Sequence, residues 1–115
     1  MSTLDAVTPR SALYGLSEKN ITELRGILAS FPHIETAIIF GSHARGDYRR
    51  GSDIDLSLKG KDLTFTDIAW LDAKLEDSYI PYFFDTNIYS TLRNKELQAN
   101  IDRDGKVIYK KEVHN

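Results

Sequence analysis

Asp53 and Asp55 stand one residue apart at the head of an apolar run, Ile54-Asp55-Leu56-Ser57-Leu58. Alternate residues of an extended strand point to one face, about 6.6 Å apart along the backbone. Two carboxylates so placed can converge on hard cations, and Mg²⁺ held by a few carboxylates plus substrate phosphates is the usual nucleotide-enzyme arrangement. A pair of such ions about 4 Å apart serves an in-line displacement at phosphorus. A third acid would complete the set, and Asp85 is the candidate, alone within the aromatic-apolar stretch Tyr82-Phe83-Phe84-Asp85. Burial of an unpaired carboxylate costs several kcal/mol, so Asp85 is expected to have a partner.

Upstream, Gly41-Ser42 closes the run Ala37-Ile38-Ile39-Phe40 and is separated from Asp53 by ten residues. Glycine permits close backbone approach, and successive N–H groups at a helix start make an anion site to which the Ser42 hydroxyl adds a donor. Arg45 lies nearest that turn and is the better phosphate ligand; Arg49 and Arg50 read as a solvated basic patch. His43 reads as a surface residue, since neither His33 nor His114 has a metal-ligand spacing to it. Taken singly, an Asp-x-Asp or a Gly-Ser turn is common. Their order along the chain is what points to nucleotide chemistry.

These side chains need elements to position them. Residues 1–16 lack periodicity and are expected as a loose leader. Ser17 is an N-cap, Leu16 and Ile21 occupy staple positions, and Leu24, Ile27, Leu28 and Phe31 continue one helical face until Pro32. Strands are expected at Thr36–Phe40 and Ile54–Lys59, with a short helix over His43–Tyr48 between them. A helix over Thr66–Asp77 buries Ile68, Leu71 and Leu75 with Trp70 beside them. A third strand spans Tyr82–Tyr89, a last helix runs from Lys95 to Arg103 with Gly105 as its C′ glycine, and Val107–Tyr109 closes the sheet. The expectation is a single small α/β domain: a mixed sheet with helices on one face and the other face open for chemistry.

At 115 residues the chain has room for one core, with 41% hydrophobic and 28% charged residues and a formal net charge of −2. That balance argues against nonspecific binding to a nucleic-acid backbone, so no direct nucleic-acid contact is expected. Without cysteine there is neither a disulfide nor a thiolate zinc site. No secretory signal or membrane span is visible, and a cytoplasmic protein is expected.

The string GSHARGDYRRGSDIDL resembles the minimal nucleotidyltransferases, the MNT proteins of the DNA polymerase β-like superfamily, with their Gly-Ser-x-Ala-Arg-Gly start and Ser-Asp-x-Asp-Leu end. The likeness covers residues 17–110, leaving 1–16 as leader and 111–115 as tail. It implies a nucleotidyltransferase-like sheet on which Asp53, Asp55 and Asp85 are catalytic and hold two Mg²⁺ ions. Asp55 and Asp85 would flank the acceptor. Gly41, Ser42, Arg45 and Ser52 would bind the ATP substrate, the first two at its β- and γ-phosphates. It further implies an antitoxin that transfers AMP to a tyrosine of a HEPN ribonuclease toxin. The alternatives are a nucleotide-binding module that inhibits by occlusion, or a small-molecule nucleotidyltransferase. No acceptor lobe follows the catalytic sheet, so another polypeptide is expected to bring the acceptor.

Overall fold

The computed structural model describes residues 12–112. Residues 12–17, largely assigned above to the leader, form a tight hairpin: β1 (Ala12–Leu13) pairs antiparallel with β2 (Leu16–Ser17). Its two-residue turn, Tyr14-Gly15, has φ of 56° and 79°, the backbone that a primed turn demands. The remainder of the expected leader, residues 1–11, lies outside the described residues. Ser17 then caps α1 (Glu18–Ala29), its Oγ accepting from the Asn20 amide at 3.1 Å. Leu16 before the cap and Ile21 after it enter the same core, as a staple requires.

The sheet is built from β3 (Thr36–Phe40), β4 (Ile54–Lys59), β5 (Phe84–Ile88) and β6 (Lys106–Lys110), in the spatial order β5-β4-β3-β6. β3 runs antiparallel to both β4 and β6, whereas β4 and β5 are parallel. Parallel neighbours need a crossover, and α3 (Phe65–Glu76) provides it. Thr64 and Asp67 form a reciprocal capping box at its start.

Strand alternation divides the hydrophobic residues between two faces. Ala37, Ile39, Ile54, Leu56 and Leu58 join Leu24 and Leu28 of α1 and Leu71 and Leu75 of α3 in the main core. Each fully buried leucine or isoleucine contributes about 1.5–3 kcal/mol, so this layer holds the fold together. On the opposite face Ile38 and Phe40 meet Ile101 of α4 (Lys95–Asp104). α1 and α3 therefore supply the expected helical layer, and α4 adds a cover on the other face at β3. The β4–β5 part of that face carries Asp55, Ser57, Asp85 and Asn87; the Ser57 hydroxyl donates to Asn87 Oδ1 at 2.7 Å.

Two local expectations change. Trp70 is 66% exposed rather than packed beside the α3 stripe. Gly105 does not adopt the left-handed C′ conformation: its φ is −65°. Glycine is required there because a Cβ would overlap the Ile101 carbonyl oxygen and the Ile38 side chain. The tight last turn of α4 and its close packing onto β3, not a left-handed backbone, explain the residue.

Candidate active site

The β4–β5 register sets Asp55 directly opposite Asp85. Paired residues of neighbouring strands share a face, and Asp53, two residues before Asp55 at the mouth of β4, leans the same way. Three carboxylates widely spaced in sequence are thus gathered at one end of the sheet. Asp55 is half-buried, while Asp53 and Asp85 are exposed. Asp85 therefore escapes the burial that its aromatic surroundings suggested. Burial, then the charges of Asp85 and Asp53, push the Asp55 carboxyl up to about 6, against weaker opposing pulls from His43 and Arg45. As the side chains stand, no three acidic or histidine groups among the described residues enclose a cation. The donor set nonetheless fits one: hard oxygens, mutually repelling, around a carboxyl whose negative charge is under-compensated.

Gly41 explains itself through Asp55. Its φ is +73°, and a Cβ on it would overlap Asp55 Oδ2. The turn and the carboxylate are interlocked, each occupying space the other leaves. Gly41 also begins α2 (Gly41–Arg45), which Gly46 ends in the left-handed conformation. The sequence placed this short helix over His43–Tyr48; it starts two residues earlier and ends sooner, because Gly46 at φ 93° stops it. The N-cap, Phe40, supplies no side-chain acceptor, so the first amides of α2 keep their hydrogen-bonding capacity toward a ligand.

A family model described as Polymerase beta, Nucleotidyltransferase matches residues 22–114. The chain belongs to this nucleotidyltransferase family. No curated protein matches its sequence. Among solved structures, a chain of a toxin–antitoxin complex with AMP-PNP superposes with a TM-score of 0.64 at 23% identity, covering 84% of this chain and 76% of that one. The complex of a tri-AMPylated Shewanella oneidensis HEPN toxin with its MNT antitoxin matches with a TM-score of 0.62 at 19% identity, over 82% and 72% of the two chains. The toxin–antitoxin pair MntA-HepT gives a TM-score of 0.62 at 18% identity, over 83% and 74%. At identities this low the superpositions show a shared fold alone.

On that fold the remaining candidate ligands are unevenly placed. Ser42 is half-buried beside Gly41. Ser52 closes a turn: its Oγ accepts from the Arg49 amide at 2.9 Å and its own amide donates to the Arg49 carbonyl at 3.0 Å. That turn delivers the chain to Asp53. Arg45 Nε donates to Asp47 Oδ2 at 3.2 Å, a solvated pair contributing little stability, so its guanidinium is held loosely at the end of α2.

His43, expected at the surface, is buried. Its Nδ1 faces the Tyr14 carbonyl at 2.8 Å and its Nε2 the Ser52 carbonyl at 3.3 Å. The ring stacks on Tyr48, centroids 4.5 Å apart, and takes Tyr82 edge-on at 5.5 Å. The Tyr82 hydroxyl also donates to the Gly15 carbonyl at 3.1 Å. His43 thus joins the hairpin turn to the loop that carries Ser52. No spacing in the sequence revealed it, because Tyr14, Ser52 and Tyr82 converge only through the fold. The substitution His43→Phe would keep the ring stack but remove the ring nitrogens that meet the two carbonyls, including the N–H that donates to one of them. A loss of about 1–3 kcal/mol in urea unfolding is expected. Unchanged stability would refute the bridging role.

Proposed function

We propose that the chain transfers AMP from ATP to a hydroxyl of a partner protein, with a HEPN-type toxin tyrosine as the acceptor. The observation that carries this reading is the interlocked site: Asp55 opposite Asp85, with its carboxylate filling the space beside Gly41. Solved chains of similar fold occur in toxin–antitoxin complexes, one of them with an AMPylated toxin. Asp53, Asp55 and Asp85 would hold Mg²⁺, which supplies charge neutralisation at the phosphates. Gly41 and Ser42 orient the triphosphate through backbone N–H groups and a hydroxyl, and Arg45 adds positive charge. Ser52 holds the loop against Asp53.

In the transfer the acceptor oxygen forms a bond to the α-phosphorus. The bond from that phosphorus to the pyrophosphate bridging oxygen breaks, and pyrophosphate departs with its electron pair. Asp85, exposed on the edge strand β5 where an acceptor has access, takes the hydroxyl proton. The test is incubation with ATP labelled at the α-phosphate, Mg²⁺ and the protein encoded beside this chain. Label is expected on a tyrosine of that protein and none with Asp53→Ala plus Asp55→Ala. Absence of label with the native chain, while a complex forms that survives both substitutions, would sink the transferase reading and leave an occluding module.

A further inference from the structure

A groove of about 460 Å³ borders the loop that leads into Asp53, and of the assigned residues only Ser52 lines it. One wall is Tyr48, Arg49 and Arg50; the other includes Tyr82 and Phe83. Phe83 is 80% exposed, unusual for a phenylalanine at a strand entrance. It is not loosely held, since its carbonyl accepts the Ile54 amide at 2.9 Å. It immediately precedes β5, the open edge of the sheet, and lies two residues before Asp85. Across the groove, neither the Arg49 nor the Arg50 guanidinium has a hydrogen-bond or ion-pair partner among the described residues. Among the described residues no acid lines this groove; Asp72 and Glu76 line the adjoining hollow on the far side of Phe83. Two cations without counter-charges in the groove thus face an exposed aromatic surface, along the loop that leads into Asp53.

We propose that this groove is the acceptor subsite, and that it takes a tyrosine-bearing segment with acidic residues beside the tyrosine. The proposal rests on the transferase reading and adds the chemistry of its substrate. Flanking carboxylates pair with Arg49 and Arg50, whose planar donors suit carboxylate oxygens. The acceptor ring packs on Phe83 and Tyr48, where offset or edge contacts between aromatic rings are favoured. The groove's mouth at Ser52 and Phe83 then presents the tyrosine hydroxyl toward Asp53 and Asp85. A triphosphate could satisfy the arginines equally well, but it leaves the exposed Phe83 without a role.

The full ¹⁵N-labelled chain, saturated with Mg²⁺ and α,β-methylene-ATP, is titrated with two synthetic peptides, acetyl-Glu-Asp-Tyr-Glu-Ala-amide and acetyl-Lys-Lys-Tyr-Lys-Ala-amide. The acidic peptide is expected to shift the Arg49, Arg50 and Phe83 signals and to bind about tenfold tighter than the lysine peptide. Arg49→Ala plus Arg50→Ala is expected to erase that preference and leave the analogue's affinity unchanged. Equal binding of both peptides, or no shift at these residues with about 5 mM acidic peptide, overturns the proposal. So does a tenfold loss of α,β-methylene-ATP affinity in the double variant, which would give the groove to the triphosphate. Because the titration reads binding alone, an acidic-peptide site in a chain that never transfers label would sink the transferase reading and spare the groove.

Discussion

Asp55→Asn is expected to make the ligand-free protein more stable and the enzyme inactive. The Asp55 carboxyl titrates near 6 in the fold instead of at 3.8, chiefly because it is buried and then because Asp85 and Asp53 repel its charge. Between those two values the native state binds more protons than the unfolded one, so stability falls as pH rises through that window. Above it the ionised carboxylate costs the fold on the order of 1–3 kcal/mol, after allowance for its partial exposure. Asparagine removes that cost at nearly constant volume. A melting temperature higher by roughly 5 °C is expected at about pH 7.5, with the gap closing near pH 4, where the native carboxyl is itself neutral. Mg²⁺ should raise the melting temperature of the native chain and leave the variant almost unmoved. Transfer should fall by roughly a thousandfold, because several kcal/mol of charge neutralisation at phosphorus are lost. A variant that melts at or below the native temperature near pH 7.5 would show that Asp55 is not under electrostatic stress.

Gly41→Ala should do the reverse to stability and the same to activity. A left-handed φ of +73° costs an alanine about 1–2 kcal/mol, and its methyl group would displace the Asp55 carboxylate. Displacement of a reacting group by about 1 Å costs roughly a hundredfold in rate. Urea unfolding is expected to show a loss of about 1–3 kcal/mol. Gly26 is the internal comparison: it lies on the exposed side of α1, where an added methyl group would meet nothing within 4 Å, so Gly26→Ala should stabilise by about 0.5–1 kcal/mol. Combining Gly41→Ala with Asp55→Ala removes the overlap and leaves only the backbone strain. The two substitutions should therefore be less than additive. Full activity in Gly41→Ala would refute the interlock between turn and carboxylate.

Periodicity in the sequence was most informative where one strand carried both core and chemistry. Ile54, Leu56 and Leu58 had to face inward, which turned Asp55 outward and put Asp53 with it; the strand's limits, Ile54–Lys59, match those read from that alternation. β3 likewise agrees at Thr36–Phe40, since its apolar run is bounded by glycine at one end. Helical periodicity was less secure: Trp70 sat beside the α3 stripe by spacing, yet exposure placed it outside. A helix face is a graded arc, and a residue at its margin is settled by what the neighbouring element covers.

By itself the sequence determined the acid pair, the glycine-serine turn, the order of elements and the resemblance that follows from them. Each of these depends on residues a few positions apart, where backbone geometry alone sets the relation. Only the tertiary structure decided that Asp85 stands opposite Asp55, because strand register is fixed by the whole sheet. It also decided that Gly41 yields its Cβ space to Asp55 and that His43 is buried between the carbonyls of Tyr14 and Ser52. Partners far apart in sequence leave no periodic trace, and their chemistry exists only where packing brings them within a few ångströms.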